Sequence, residues 1–318
     1  MNLRFSKQWK RVKIISDPSF KINSIVFLKN KHFFGSGASD SMVYLWDISG
    51  CRKISTLRGH RSAVNKIIVD KKSGNLLSGG EDMNIISWDI EYEKGIRTFR
   101  GHSSAISCMD VHPVLNLLVS GSRDNTIRIW DLRMRKEALI IKHHRNHISS
   151  VIFSHESPHL ISAGRDSKIC LWDLIAFKYI NCLILHKNDV KNIKMHPTEL
   201  KFASLCSQTL NIWRLDGVIT DKLNVSKNTS LFSWKGQEDF VLAENSGVMK
   251  FYKPENCKKS LSLFCKFIPF KRKSLVCPTT MEFDSNYSTF IMSIENGEIG
   301  IFNEKWTLQN STNRNSYF

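Results

Sequence analysis

Gly101-His102, an apolar run, Ser120-Gly121-Ser122-Arg123-Asp124 and Ile127-Arg128-Ile129-Trp130-Asp131-Leu132 form a unit that the chain repeats. Trp88 and Trp46 precede Trp130 at successive intervals of 42 residues, and Trp172 follows it at the same interval. Self-similarity at about 40–45 residues, with Gly-His near the start of each unit and Trp-Asp near its end, is the signature of a β-propeller with four-stranded blades. No other pattern in the sequence constrains the fold as tightly.

The earlier and later units follow from this one. A short strand, Trp9-Lys10-Arg11-Val12-Lys13-Ile14-Ile15, leads the chain, and in a closed ring it completes the last blade and removes its free edge. The first unit ends at Val43-Tyr44-Leu45-Trp46-Asp47 and has Asp17-Pro18 where later units have Gly-His. The second carries Gly59-His60, Ser78, Asp82 and Trp88-Asp89; the fourth carries His143-His144, Ser162, Asp166 and Trp172-Asp173. A fifth keeps Leu185-His186, Ser204 and Trp213-Arg214, with the Trp after 41 residues. The last two put Tyr252 and Phe302 where the Trp stood. Spacings of 39 and 50 residues place an insertion around 266–273, which holds the basic run Lys271-Arg272-Lys273, too short to establish a nuclear import signal.

Apolar residues three and one before each aromatic, such as Ile127 with Ile129 and Ile169 with Leu171, give the period of two expected of a strand with one covered face; Ser87 breaks it once. The expectation is one all-β domain over residues 1–303. Its seven units end near Trp46, Trp88, Trp130, Trp172, Trp213, Tyr252 and Phe302, and a polar tail covers 304–318.

Composition is compatible with this. Hydrophobic residues at 42% and charged residues at 24% are those of a globular chain, and no apolar run is long enough to span a membrane as a helix. The first residues lack the apolar core of a signal peptide, which points to an intracellular protein. Eight cysteines are scattered without a C-x-x-C pair, so neither a disulfide framework nor a metal site is expected, and no cofactor. The outstanding bulk property is charge: 46 Lys and Arg against 29 Asp and Glu give a net of +17, which favours an anionic partner such as nucleic acid or a particle containing it.

His102, Asp124 and Ser120 have the composition of a hydrolase triad, and so do His60, Asp82, Ser78 and His144, Asp166, Ser162. Repetition argues against catalysis. An active site is needed once, whereas a packing solution is needed in every blade, and each His stands 28 residues before a Trp. The units resemble WD-repeat propellers. That resemblance implies a buried chain from the indole of Trp88, Trp130 or Trp172 through the Ser and the His to the Asp, and a scaffold that is not an enzyme. It also implies that the loops carrying Arg61, Arg123, Arg145, Arg165 and Lys187 share one partner-binding face, where a ring of cations would suit phosphates or an acidic peptide.

Two narrower resemblances have different consequences. Glu91-Tyr92-Glu93-Lys94-Gly95-Ile96-Arg97, Met109-Asp110-Val111-His112-Pro113 and His186-Lys187-Asn188-Asp189-Val190-Lys191 are similar to WD-repeat proteins of the spliceosomal Nineteen complex. This implies a nuclear scaffold in pre-mRNA splicing, with the complex's Myb-domain core subunit and the SKI-interacting protein as partners and small nuclear RNA nearby. Members of that group usually carry a long segment ahead of the propeller, which this sequence lacks. Ile127 to Arg133 also resembles the box by which some WD-repeat proteins dock on a cullin ubiquitin ligase, with Arg133 as the adaptor contact. A nuclease built on His143-His144-Arg145-Asn146-His147 is disfavoured, because His144 belongs to a repeated set and no carboxylate pair accompanies the run.

Overall fold

A computed structural model describes residues 4–16, 20–30, 32–134, 137–155, 157–176, 178–183, 186, 188–236, 239–254, 261–267, 277–284 and 286–309. Of the strands named first, β1 (Arg4–Ser16) stands apart. The first sheet is β2 (Ile22–Phe27), β3 (Phe33–Ala38), β4 (Val43–Asp47) and β5 (Arg52–Leu57), and the second is β6 (Val64–Val69), β7 (Leu76–Gly80), β8 (Ile85–Asp89) and β9 (Lys94–Phe99). The third is β10 (Ile106–Val111), β11 (Leu117–Ser122), β12 (Thr126–Asp131) and β13 (Glu137–Lys142), and the fourth is β14 (Ile148–Phe153), β15 (His159–Gly164), β16 (Ile169–Asp173) and β17 (Lys178–Leu183). The fifth is β18 (Val190–Met195), β19 (Lys201–Cys206), β20 (Thr209–Arg214) and β21 (Ile219–Asn224), and the sixth is β22 (Thr229–Lys235), β23 (Asp239–Glu244), β24 (Met249–Pro254) and β25 (Leu261–Phe267). The seventh joins β26 (Pro278–Phe283), β27 (Thr289–Ile294) and β28 (Glu298–Gln309) to β1.

Among the described residues the molecule is therefore a ring of seven four-stranded antiparallel blades, and its N-terminal strand completes the last. β1 pairs with β28 from Arg4 opposite Gln309 to Ser16 opposite Glu298, with one register shift between Arg11 and Lys13. This join covers an edge that would otherwise present a row of unpaired N–H and C=O groups. It also corrects two expectations. The leading strand begins at Arg4 rather than Trp9, and the last runs to Gln309, so 304–309 is strand where a tail was expected. Glu304-Lys305-Trp306-Thr307-Leu308-Gln309 alternates polar and apolar residues after Lys305, which suits an edge pair. Each sheet up to the sixth also continues one strand past its aromatic, so sequence units and blades are offset by one strand.

Packing explains the alternation. Ile127 and Ile129 of β12 join Ile148, Val151 and Leu160 of the fourth blade, while Trp130 turns to the other face and joins Leu77, Ile85 and Phe99 of the second. Every sheet is thus covered on both faces, not one. The apolar clusters lie between consecutive blades all the way round, including Ile22, Phe34 and Trp46 of the first blade with Ile291, Ile299 and Ile301 of the seventh. Ser87, which interrupts the pattern, is buried with the rest.

The inner strands are laced together by a device absent from the motif. Each carries a register shift at its start, between Ile22 and Ser24, Val64 and Lys66, Ile106 and Cys108, and Val190 and Asn192 among them. A bulge re-aims the extra side chain. Here it points Asn23 Nδ2 at the Val64 carbonyl (3.0 Å), Asn65 Nδ2 at Ile106 (3.0 Å), Ser107 Oγ at Ile148 and Lys191 Nζ at Thr229 (2.8 Å). Each of these donors sits at the start of one inner strand and each acceptor at the start of the next, so four blade junctions are tied at one mouth of the channel, while Ser149, Ser230 and Thr279 at the equivalent bulges bond within their own blades.

Removing residues 1–16 should leave β28 as an exposed edge. We expect the shortened chain to self-associate in sedimentation velocity and to melt roughly 5–10 °C lower than the full chain; a monomer of unchanged melting temperature would contradict closure by β1.

Candidate functional site

The residues with the composition of chemistry cluster at the same end of each blade. In the third, Trp130 Nε1 donates to Ser120 Oγ (2.8 Å), Ser120 meets His102 Nε2 (2.7 Å), and His102 Nδ1 meets Asp124 Oδ2 (2.8 Å). The second repeats this with Trp88, Ser78, His60 and Asp82 at 2.7, 2.6 and 2.9 Å. The fourth does so with Trp172, Ser162, His144 and Asp166 at 2.9, 2.9 and 3.0 Å. A carboxylate can only accept, so Nδ1 carries the proton and Nε2 accepts from the serine hydroxyl. Each serine oxygen therefore takes a hydrogen bond from the indole and gives one to the imidazole. Ser78, Ser120 and Ser162 are fully buried, so the hydroxyl that a hydrolase would use as nucleophile is committed and out of reach of a substrate.

Electrostatics fit this role. Burial would raise the Asp124 carboxyl, but hydrogen bonds from His102 and Thr126 and the backbone N–H of Ser103 outweigh it and hold the group well below the usual carboxylate range. Asp82 and Asp166 are lowered in the same way by His60 and His144 against their own burial.

The other blades vary the device. In the first, Trp46 Nε1 still donates to Ser36 Oγ (2.8 Å), but Phe20 stacks on Tyr44 (4.6 Å between centroids), and the Tyr44 hydroxyl, not a histidine, holds Asp40. In the fifth, Trp213, Ser204 and His186 are joined at 2.7 and 2.7 Å, but the chain is one residue shorter and the aspartate is missing. Register places Cys206 where the second and fourth blades have Gly80 and Gly164. There a Cβ would come within 3 Å of the histidine Nδ1 and of the aspartate. With no aspartate the side chain fits. His186 Nδ1 is left buried without a hydrogen-bond partner, and Cys206 Sγ pairs with Thr209 Oγ1 at 3.0 Å. The last two blades have no tryptophan at this position and keep only the stacked pair, Phe240 with Tyr252 and Phe290 with Phe302, that Phe34 with Trp46 and Phe202 with Trp213 also form.

The tetrads position the arginines. The backbone N–H groups of Arg61 and Arg145 donate to Asp82 and Asp166 (3.1 Å each), and those of Arg123 and Arg165 donate to the carbonyls of Ala105 (2.9 Å) and His147 (2.8 Å). Their backbones are pinned to the buried network while the side chains are exposed, so all four face solvent around one mouth of the channel. Arg123 lies 3.7 Å from Glu81, an exposed pair worth little. Lys187 falls outside the described residues, as does the insertion from 268 to 273. Arg133 lies beyond β12 at the opposite end, where its guanidinium forks onto Asp131 (3.0 and 2.7 Å).

Sequence reading missed the charged groups that line the central channel. A cavity of about 450 Å³ is bordered by all seven inner strands and contains Lys66, Asp110, Lys194 and Glu282. Lys194 pairs with Glu282 at 3.5 Å. Burial pushes the Lys66 ammonium down, while burial raises Asp110 to about 6 even though it accepts from the N–H of Phe153 at 2.8 Å in the neighbouring blade. The far mouth opens into a space of about 690 Å³ walled by Leu28, Val69, Trp234 and Phe283, with Lys29 and Lys71 at its rim. The His-Pro pairs near this mouth are turn caps. His112 Nδ1 accepts from Val114 and Leu115 (3.1 and 3.0 Å), and His196 Nδ1 from Thr198 and Glu199 (3.3 and 3.0 Å).

Four segments, residues 9–47, 51–89, 93–131 and 135–173, match the WD40 family (WD domain, G-beta repeat). Each takes in the outer strand of one blade and ends on the Trp-Asp of the next, which is the one-strand offset seen in the fold. With these repeats and seven blades, the chain is a WD-repeat β-propeller, an architecture that generally serves as a non-catalytic platform for protein interactions. No curated protein matches the sequence. Among the described residues, no helix is long and apolar enough to cross a membrane.

Two measurements test the structural role of the tetrads. His102→Ala strands a buried carboxylate and should cost about 3 kcal/mol in urea unfolding, whereas His186→Ala, with no carboxylate to strand, should cost about 1 kcal/mol. The folded value of Asp124 lies below its unfolded value of 3.8, so its stabilisation is complete above that pH and is lost as the pH falls through the folded value. Asp124→Asn should therefore be less stable than wild type at neutral pH and should lose less stability on acidification from pH 4 to pH 2; parallel acid limbs would contradict this.

Proposed function

We propose that the protein is a non-enzymatic scaffold subunit of the spliceosome, acting in the nucleus through protein contacts, and through RNA phosphates, on the mouth that carries Arg61, Arg123, Arg145 and Arg165. The observation that carries the reading is the placement of these arginines: two have backbone N–H groups bonded to tetrad aspartates, all four side chains are exposed, and they belong to three consecutive blades. An arginine fork suits a phosphate or carboxylate better than a lysine does, and the net charge of +17 favours an anionic partner throughout.

Splicing is the setting we favour because the second to fifth units resemble pleiotropic regulator 1. The discriminating run is Glu91 to Arg97, where Tyr92 is exposed and Arg97 reaches the Leu132 and Met134 carbonyls of the next blade. The Myb-domain core subunit of the Nineteen complex and the SKI-interacting protein are the proposed partners, with small nuclear RNA close by. The second reading is a substrate receptor of a cullin ubiquitin ligase docking through Arg133, whose side chain is 72% exposed. Its bidentate bond to Asp131 engages the guanidinium that an adaptor would need.

Affinity purification of the full chain separates the two. Co-recovery of small nuclear RNA and splicing proteins supports the scaffold, and a cullin adaptor lost on Arg133→Ala supports the receptor. Replacing Arg61, Arg123, Arg145 and Arg165 together by Glu should lower recovery of the splicing particle at least tenfold and flatten its dependence on salt. Unchanged recovery would remove this face from the account.

A further inference from the structure

Blade four departs from its neighbours at three positions that meet in space. Cys170 of β16 stands directly opposite Cys182 of β17, and their sulfurs are 3.5 Å apart. His143, in the connection ahead of β14, lies over them, and its ring nitrogen and the two sulfurs all fall within 4.8 Å of one another. The imidazole is clamped, stacked on Tyr179 at 4.8 Å and edge-on to Trp172 at 5.3 Å. Cys170 is buried, Cys182 is half-buried and His143 is exposed, which leaves an open path from solvent to the sulfurs.

The repeat supplies an internal comparison. Stepping back 42 residues, His143 corresponds to Gly101, Cys170 to Arg128, Tyr179 to Glu137 and Cys182 to Ile140. In the third blade Arg128 and Glu137 form an ion pair at 3.0 Å, and a Cβ on Gly101 would collide with both. The second blade has Gly59, Ile86 and Thr98 at the ligand positions. Neither of these two blades has a histidine or a cysteine there. Blade four has lost the ion pair and filled its place with two thiols and an imidazole.

We propose that His143, Cys170 and Cys182 bind a thiophilic d¹⁰ cation, Zn²⁺ or Cu⁺, with one coordination position left to solvent or a partner in the zinc case. Both ions favour this donor set. Tetrahedral zinc with bonds of about 2.3 Å to sulfur and 2.0–2.1 Å to nitrogen puts its ligand atoms about 3.5–3.8 Å apart. The sulfur pair already has that spacing, and the imidazole needs to close by at most about 1.3 Å. Binding displaces the two thiol protons to solvent, and neither metal nor sulfur changes oxidation state. The ion would tie the outer strand of the blade to the segment that carries His144 and Arg145.

Direct titration of the full chain, held reduced by a phosphine and stripped with a chelator, tests the assignment. Zn²⁺ is titrated against a chromophoric chelator and Cu⁺ anaerobically against a copper(I) chelator, so the two arms identify the ion. We expect one equivalent of at least one ion and, with Co²⁺ as a probe, thiolate-to-cobalt charge-transfer absorption. Cys182→Thr and His143→Gly restore the residues that blade two carries at these positions. They should melt like wild type without metal, bind roughly 10–100-fold more weakly or worse, and lose the rise in melting temperature that the ion gives wild type. Equal affinity of wild type and Cys182→Thr for both ions, uptake of neither, or a Cys170–Cys182 disulfide that persists under the phosphine would overturn the site.

Discussion

A tryptophan packed between two sheets brings an indole N–H into a place without water, and that group must find an acceptor. Much of the better-preserved half of this ring follows from that requirement. The serine that accepts from Trp130 must itself be held, the histidine that holds Ser120 needs its tautomer fixed, and Asp124 fixes it while its other contacts close the turn toward Thr126. Each link satisfies one buried polar group and exposes the next to the same demand, until the chain reaches a carboxylate at the rim. The turn that ends the chain is also the turn that presents an arginine to solvent. Packing and presentation of the arginine-bearing face are therefore consequences of one hydrogen-bonded column.

What happens when the column is incomplete is instructive. The fifth blade has lost its aspartate and placed Cys206 in the vacated space, leaving His186 Nδ1 without a partner. The first blade has lost its histidine and uses Tyr44 to reach Asp40. The last two blades rely on stacked rings. The ring tolerates this because its sheets are joined in two other ways, by apolar clusters on both faces of every blade and by the bulged side chains that cross from Asn23, Asn65, Ser107 and Lys191 to the next carbonyl. Closure by β1 and β28 then makes the first and last blades neighbours.

The features legible in the sequence were those that recur at 42 residues with the same residue types. The tetrads headed by Trp88, Trp130 and Trp172 were legible as repeated residue sets, because three copies remove the ambiguity that one would carry, and their hydrogen-bond order followed from the resemblance to WD-repeat propellers. Features that depend on register were not legible. Asn65 and Ser107 occupy equivalent bulges but share no residue type. Cys170 and Cys182 are 12 residues apart and meet only because β16 and β17 pair at that position. The channel groups Lys66, Asp110 and Glu282 come from three blades and have no signature along the chain. Tyr44 carries no signal along the chain, because its partner Asp40 stands in a unit without Gly-His. Of the runs similar to splicing proteins, Met109 to Pro113 includes a histidine that caps a turn; the run from Glu91 to Arg97 bears the weight of that reading.

Hydrogen exchange of the indole N–H protons, followed by NMR, tests most directly whether these columns hold the ring. The account predicts that the indole protons of Trp88, Trp130 and Trp172 exchange only through global unfolding, with the same dependence on denaturant as the slowest backbone amides. Fast, denaturant-independent exchange of these protons in the folded protein would show that the columns open locally, and would contradict the role assigned to them.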